Sequence, residues 1–112
     1  MQIAERLANG EETIKSLIKK INNTKKAKGY SNTIQIILTD AEPYYIKISD
    51  GKIVNVEKLS RKDAELTLTC SSEVLRKILE KELSLGLAFV TFKVTIDGSI
   101  SAIREFKQKI LS

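Results

Sequence analysis

The run Tyr44-Tyr45-Ile46-Lys47-Ile48-Ser49-Asp50-Gly51-Lys52-Ile53-Val54-Asn55-Val56-Glu57 decides the architecture. Tyr44 to Ser49 alternates. Tyr44, Ile46 and Ile48 share one face, and Tyr45 and Lys47 share the other. Asp50-Gly51 comes next, and a type I′ turn needs positive φ at both central residues. Ile53 to Glu57 is then the returning strand of a hairpin. A one-sided apolar alternation leaves one wet face, as in an antiparallel sheet.

Upstream, Thr33 to Thr39 puts Ile34, Ile36 and Leu38 on one face, and Asp40-Ala41-Glu42-Pro43 is a turn. Downstream, Leu59 to Asp63 is a polar connection, and Ala64 to Cys70 alternates with Leu66, Leu68 and Cys70 facing one way. Helix is expected next. Ser71 or Ser72 can cap it, with Glu73 in the first turn. Its apolar stripe is Val74, Leu75, Ile78, Leu79 and Leu83. Ser84 restarts a short helix, Leu85 to Val90, that is apolar nearly all round. A final strand, Phe92 to Asp97, sets Phe92, Val94 and Ile96 on one face. Gly98 and Ser99 lead into a last helix with Ile100, Ile103, Phe106, Ile110 and Leu111 inward.

The N-terminal residues 1–28 read as a basic helical segment. Ile14, Leu17, Ile18 and Ile21 follow helical spacing, and Asn9 with Glu12 reads as an N-cap with its capping-box partner. Residues 31–112 supply the sheet and the C-terminal helices. The helical crossover between strands four and five predicts a parallel pair. The chain therefore reads as one α+β domain over 1–112, with a five-stranded mixed sheet covered on one face by helices.

The chain has 112 residues, which suits one domain with a real core. The single Cys70 allows no internal disulfide and fits a reducing compartment. Met1 to Arg6 has no apolar signal-peptide core, and the expected location is cytoplasmic. The net charge of +5 is concentrated in Lys15, Lys19, Lys20, Lys25, Lys26 and Lys28, a stretch without a carboxylate.

There is no histidine, so the commonest general base and transition-metal ligand are missing. The five glycines form no phosphate-binding loop. Cys70, on an apolar strand face, reads as a small buried hydrophobe. Tyr44 and Tyr45 read as packing residues. Neither catalytic residues nor a metal or cofactor site is expected. The lysine run has one aromatic neighbour, Tyr30, and no arginine, which argues against nucleic-acid recognition. A solvated helix face explains the lysines, as does peripheral contact with an anionic membrane. A homo-oligomer is left open.

From Thr33 to Asp97 the sequence resembles the sterol carrier protein type-2 domain family. The resemblance rests on the hairpin at Asp50-Gly51-Lys52 and on Asp63-Ala64-Glu65-Leu66-Thr67-Leu68-Thr69. It continues through the serine-capped helix and Ala88-Phe89 with Lys93-Val94-Thr95-Ile96-Asp97-Gly98. It implies a sheet in order 3-2-1-4-5 and a non-catalytic tunnel for a lipid such as a fatty acid, sterol or isoprenoid. Carried onto this chain, the implied tunnel lining is Leu75, Ile78, Leu79, Leu83, Leu87, Phe89, Val90, Phe92, Val94, Ile103 and Phe106. Two positions depart from the family pattern. Glycine usually precedes the lysine of the last strand, where this chain has Phe92. Gly-Lys-Leu often comes after the crossover helix, where this chain has Lys81-Glu82-Leu83. A phenylalanine at the first position would fill the tunnel mouth.

Ligand pockets start at roughly 300 Å³. At about 24 cal/mol per Å³, an empty apolar cavity of that size costs on the order of 7 kcal/mol. Such a pocket is expected to be occupied or to collapse through its C-terminal helices. A docking module using the same apolar groove for protein association is the alternative reading. It would expose an apolar patch and self-associate.

Overall fold

The computed structural model describes residues 3–111, with side chains from Asn9 onward. Met1, Gln2 and Ser112, the ends of the expected 1–112 domain, lie outside the described residues. Helix α1 spans Ile3–Asn23, and a short 3-10 turn at Lys25–Ala27 comes after it. Asn9 is therefore inside α1 and is not its N-cap; its carbonyl accepts a bond from the Thr13 hydroxyl at 2.8 Å. Ile3 and Leu7 continue the apolar spacing upstream of Ile14, a signal that outweighs the capping-box pattern.

The strands are β1 (Asn32–Leu38), β2 (Tyr44–Ser49), β3 (Lys52–Glu57), β4 (Leu66–Cys70) and β5 (Val94–Gly98). They form one sheet in the order β3-β2-β1-β4-β5. β1–β2 and β2–β3 are antiparallel, while β1–β4 is the parallel pair. The β2–β3 turn has the expected type I′ character, with φ of 50° at Asp50 and 78° at Gly51. Gly51 has a second constraint. A Cβ there would sit 2.5 Å from the Ala27 carbonyl oxygen, because the hairpin tip tucks against the 3-10 turn.

β5 runs antiparallel to β4, which corrects the parallel pairing expected from the crossover. The crossover holds two helices, α2 (Ser72–Leu79) and α3 (Leu85–Val90). One helix would return the chain to the opposite end of β4. Two make an excursion out and back, so Val94 pairs with Cys70, where β4 ended. Strand β5 also starts two residues later than expected, because Phe92 belongs to the end of α3.

Three serines start the C-terminal helices, including α4 (Ile100–Phe106). Ser71, Ser84 and Ser99 each accept a bond from the backbone N–H three residues on, at 3.0–3.1 Å. The two crossover helices also end alike. Glu82 N–H bonds the Lys77 carbonyl and Lys81 N–H bonds that of Ile78. Lys93 N–H bonds the Ala88 carbonyl and Phe92 N–H bonds that of Phe89. These are Schellman closures, and their left-handed residue is ordinarily glycine. Here it is Lys81 (φ 62°) and Phe92 (φ 60°), both at the positions that depart from the family pattern. Each costs about 1–2 kcal/mol relative to a relaxed backbone.

Ile34, Ile36, Leu38, Ile46, Ile48, Leu66, Leu68 and Val94 form the helix-facing side of the sheet. Ile14, Leu17, Ile21, Leu75, Ile78, Phe106 and Ile110 close over it. Ile100, expected inward, is 76% exposed, because it sits at the first turn of α4 before that helix reaches the core. The opposite face is crossed by the 58–65 connection. Gln35, buried on β1, anchors it. Its amide nitrogen donates to the carbonyls of Tyr44 and Leu59, both at 3.1 Å. Its amide oxygen accepts from Arg61 N–H at 2.7 Å. The Arg61 guanidinium then lies 4.6 Å above the Tyr45 ring.

Two titratable groups are sealed in the core. Burial pushes the Tyr30 phenol from 10.0 up to about 12, against a bond from Asn32 that lowers it. Burial pushes the Cys70 thiol from 9.0 up to about 11, with the Asp40 charge adding to the shift. Both folded pKa values exceed the unfolded ones, so the folded state holds protons that the unfolded chain has lost.

Replacing Gln35→Leu strands the Leu59 carbonyl and the Arg61 N–H. The expected cost is about 2 kcal/mol, read as a lower urea midpoint at an unchanged m-value. A midpoint within error of the parent would mean that the amide does not hold the connection. Stability should be level up to about pH 9 and fall as pH rises through 11 to 12. Cys70 should react with a disulfide reagent at pH 8 only after denaturation. A thiol that reacts fully in the native state would contradict its burial.

Candidate functional site

The residues implied as tunnel lining divide into three sets. Leu75, Ile78, Val94 and Phe106 are buried in the core. Leu79, Leu83 and Ile103 are half-buried and pack against it. Leu87, Phe89 and Val90 are at least half exposed, and Phe92 is 94% exposed. Phe92 therefore does not fill a tunnel mouth. The left-handed backbone at this residue turns the ring out to solvent.

The space between sheet and helices is occupied by the chain's own side chains. Phe106 and Ile110 are each 1% exposed and belong to the core that fills it. They come from α4 and from the wider π-helical turn Lys107–Leu111 that continues it. Beside them an apolar cleft of about 200 Å³ opens to solvent. Ile78, Leu83, Leu85 and Leu111 form its walls, and Lys81, Ser84 and Lys107 form its rim. The cleft is smaller than the roughly 300 Å³ at which ligand pockets begin.

Sequence reasoning missed Leu85, Leu111, Lys81 and Lys107 as members of one site. Leu85 and Leu111 carry the same apolar signal as any core residue. The two lysines have no local signal, since the C-terminal turn and the α2–α3 turn meet only in the folded chain.

The lysines of the N-terminal segment spread over two surfaces. Lys19 and Lys20 line a groove of about 300 Å³ with Arg76. Lys25 and Lys28 surround the Asp50-Gly51 hairpin tip with Lys52, in a depression of about 510 Å³. Lys15 lies 3.8 Å from Glu12 in an exposed pair, and Lys26 is exposed. Tyr44 and Tyr45 are both buried, on opposite faces of β2. Among the described residues no three His, Cys, Asp or Glu side chains converge on a metal-binding position. Among the same residues no helix is long and apolar enough to cross a membrane.

The profile of the SCP-2 sterol transfer family matches residues 7–110. No curated protein sequence matches the chain. Solved structures share the fold. The sec-alkylsulfatase Pisa1 from Pseudomonas sp. superposes with a TM-score of 0.67 at 23% identity. That match covers 80% of this chain, which spans only 14% of the sulfatase's length. Sterol carrier protein 2 like 2 from Aedes aegypti gives a TM-score of 0.63 at 16% identity, over 88% of this chain and 94% of its own. Sterol carrier protein-2 from Aedes aegypti, solved in complex with the C16 fatty acid palmitate, gives 0.66 at 17% identity, over 88% and 91%. A profile match across nearly the whole chain and a shared strand order lead to one assignment: the chain belongs to the SCP-2 sterol transfer family.

Proposed function

We propose that this domain binds the acyl chain of an anionic lipid without catalysing a reaction on it. The observation that carries the reading is the cleft at the α2–α3 turn, apolar in its walls and cationic at its rim. An acyl chain would lie against Ile78, Leu83, Leu85 and Leu111 and displace Phe106 and Ile110 from the space between sheet and helices. Leu75, Leu79, Val94 and Ile103 would then line the enlarged site. Its carboxylate would meet Lys81 and Lys107, which lie on the rim. The palmitate complex of the Aedes aegypti relative supports this ligand class.

Entry of a long chain requires the Lys107–Leu111 turn to move. π-helical turns are rare and are frequently found at functional sites. Collapse avoids the cost of an empty cavity, and ligand contacts replace the self-contacts when the turn shifts. The exposed strip Leu87, Phe89, Val90 and Phe92 is what a docking surface would present, and it lies outside the cleft.

Palmitate at a hundredfold excess over its Kd should stabilise the protein by about 2.7 kcal/mol, read as a rise in Tm. The double variant Lys81→Met, Lys107→Met should bind palmitate more weakly yet keep its affinity for the uncharged palmitoyl methyl ester. If neither ligand moves the Tm of the parent protein, the lipid-binding reading fails. If parent and double variant treat acid and ester alike, the lysines are not the head-group site.

A further inference from the structure

We infer that the end of α3 and the turn into β5 form a membrane-inserting tip, with Phe92 at its apex, that seats the domain on an anionic bilayer. The inference rests on the lipid-binding reading, since α3, whose far end carries the tip, begins at the proposed cleft with Ser84 and Leu85.

Phe92 closes the Schellman motif of α3 in a left-handed conformation, at φ 60°. Glycine adopts that conformation without strain, whereas a bulky side chain adds to the cost. A phenylalanine normally compensates for strain by burying its ring, but this ring is 94% exposed. The folded domain thus gains little from the side chain and tolerates an unfavourable backbone to present it. Leu87, Phe89 and Val90 surround it, with exposures of 52%, 51% and 63%. Leu85 and Ala88, on the other side of the same short helix, are buried and fix its orientation. The outcome is an apolar knob held on a rigid base.

The charge around the knob selects the occupant. From Leu83 to Ile96 there is no carboxylate, and the one charge is Lys93, next to Phe92. Lys81 and Lys107 stand at the other end of α3. Glu82, the nearest upstream acid, lies 3.3 Å from Arg76. The C-terminal turn, which carries Lys107, packs against the 3-10 turn bearing Lys25 and Lys26. Apolar and aromatic side chains bordered by lysines fit the interface of an anionic bilayer. A second copy of this chain would instead bring two lysine borders together, and like charges oppose that contact.

The chain has no tryptophan, so Phe92→Trp places a single reporter at the apex. On addition of phosphatidylcholine vesicles containing phosphatidylglycerol, its emission should shift to the blue and become quenchable by brominated acyl chains. Vesicles of phosphatidylcholine alone should give a smaller shift, and added salt should reduce the response. Phe92→Gly should raise Tm, because it relieves the left-handed residue, and should weaken vesicle partitioning about tenfold or more. Uptake of soluble palmitate by Phe92→Gly should match that of the parent.

A Phe92→Trp signal that stays red with anionic vesicles overturns the inference, even if palmitate still binds. The same holds if Phe92→Gly partitions as the parent does, or if Phe92 controls a dimer equilibrium with no vesicle response. Failure of palmitate binding with an intact vesicle response would overturn the lipid-binding reading and leave the tip.

Discussion

The sheet depends on a parallel pairing that its chain order makes hard to reach. β4 must lie beside β1, while β3 ends at the far edge of the meander. A connection of eight residues, 58–65, therefore crosses β2 and β1, and its backbone polar groups need partners on the way. Gln35 supplies them from the middle of β1. The Glu65 N–H completes the crossing by bonding both the carbonyl and the hydroxyl of Thr33. Once β4 is seated, the helix side of the sheet has a continuous floor of isoleucine and leucine. The later helices are laid on that floor, and β5 extends it beside β4.

Beyond β4 the chain forms a helical layer whose elements are held in different ways. α2 is tied down at its start by Asp40, whose carboxylate accepts from both the backbone N–H and the hydroxyl of Ser72 at 2.9 Å. Its arginine, Arg76, sits among Glu73, Glu80 and Glu82, but these are exposed pairs that contribute little to stability. In the C-terminal segment Phe106 and Ile110 are buried. The same two side chains would have to be displaced by an acyl chain. On the proposed reading, stability and ligand binding would draw on one volume.

Much of this is legible in the sequence because it is local. Asp50-Gly51 sets the hairpin, and Ser71, Ser84 and Ser99 mark helix starts through side-chain geometry that spans three residues at a time. The direction of β5 is not legible, because it depends on how many helices the crossover contains and how they reverse. Gln35 is not legible either. It reads as an ordinary polar residue on a wet strand face, and its partners lie 24 and 26 residues away in sequence. Phe92 reads as a strand residue because it is apolar and next to an alternating run. The Schellman bonds from Phe92 and Lys93 claim it for the end of α3. The departure from glycine at that position is visible in the sequence, but its meaning needs the backbone angle.

Native mass spectrometry of the freshly purified protein, followed by organic extraction, tests the central claim most directly. The account predicts a stoichiometric acyl species on a fraction of the molecules, or its one-to-one uptake when palmitate is added, with the bare protein as the collapsed form. A protein that stays bare in both experiments would contradict the account, and the filled interior would then be only a core.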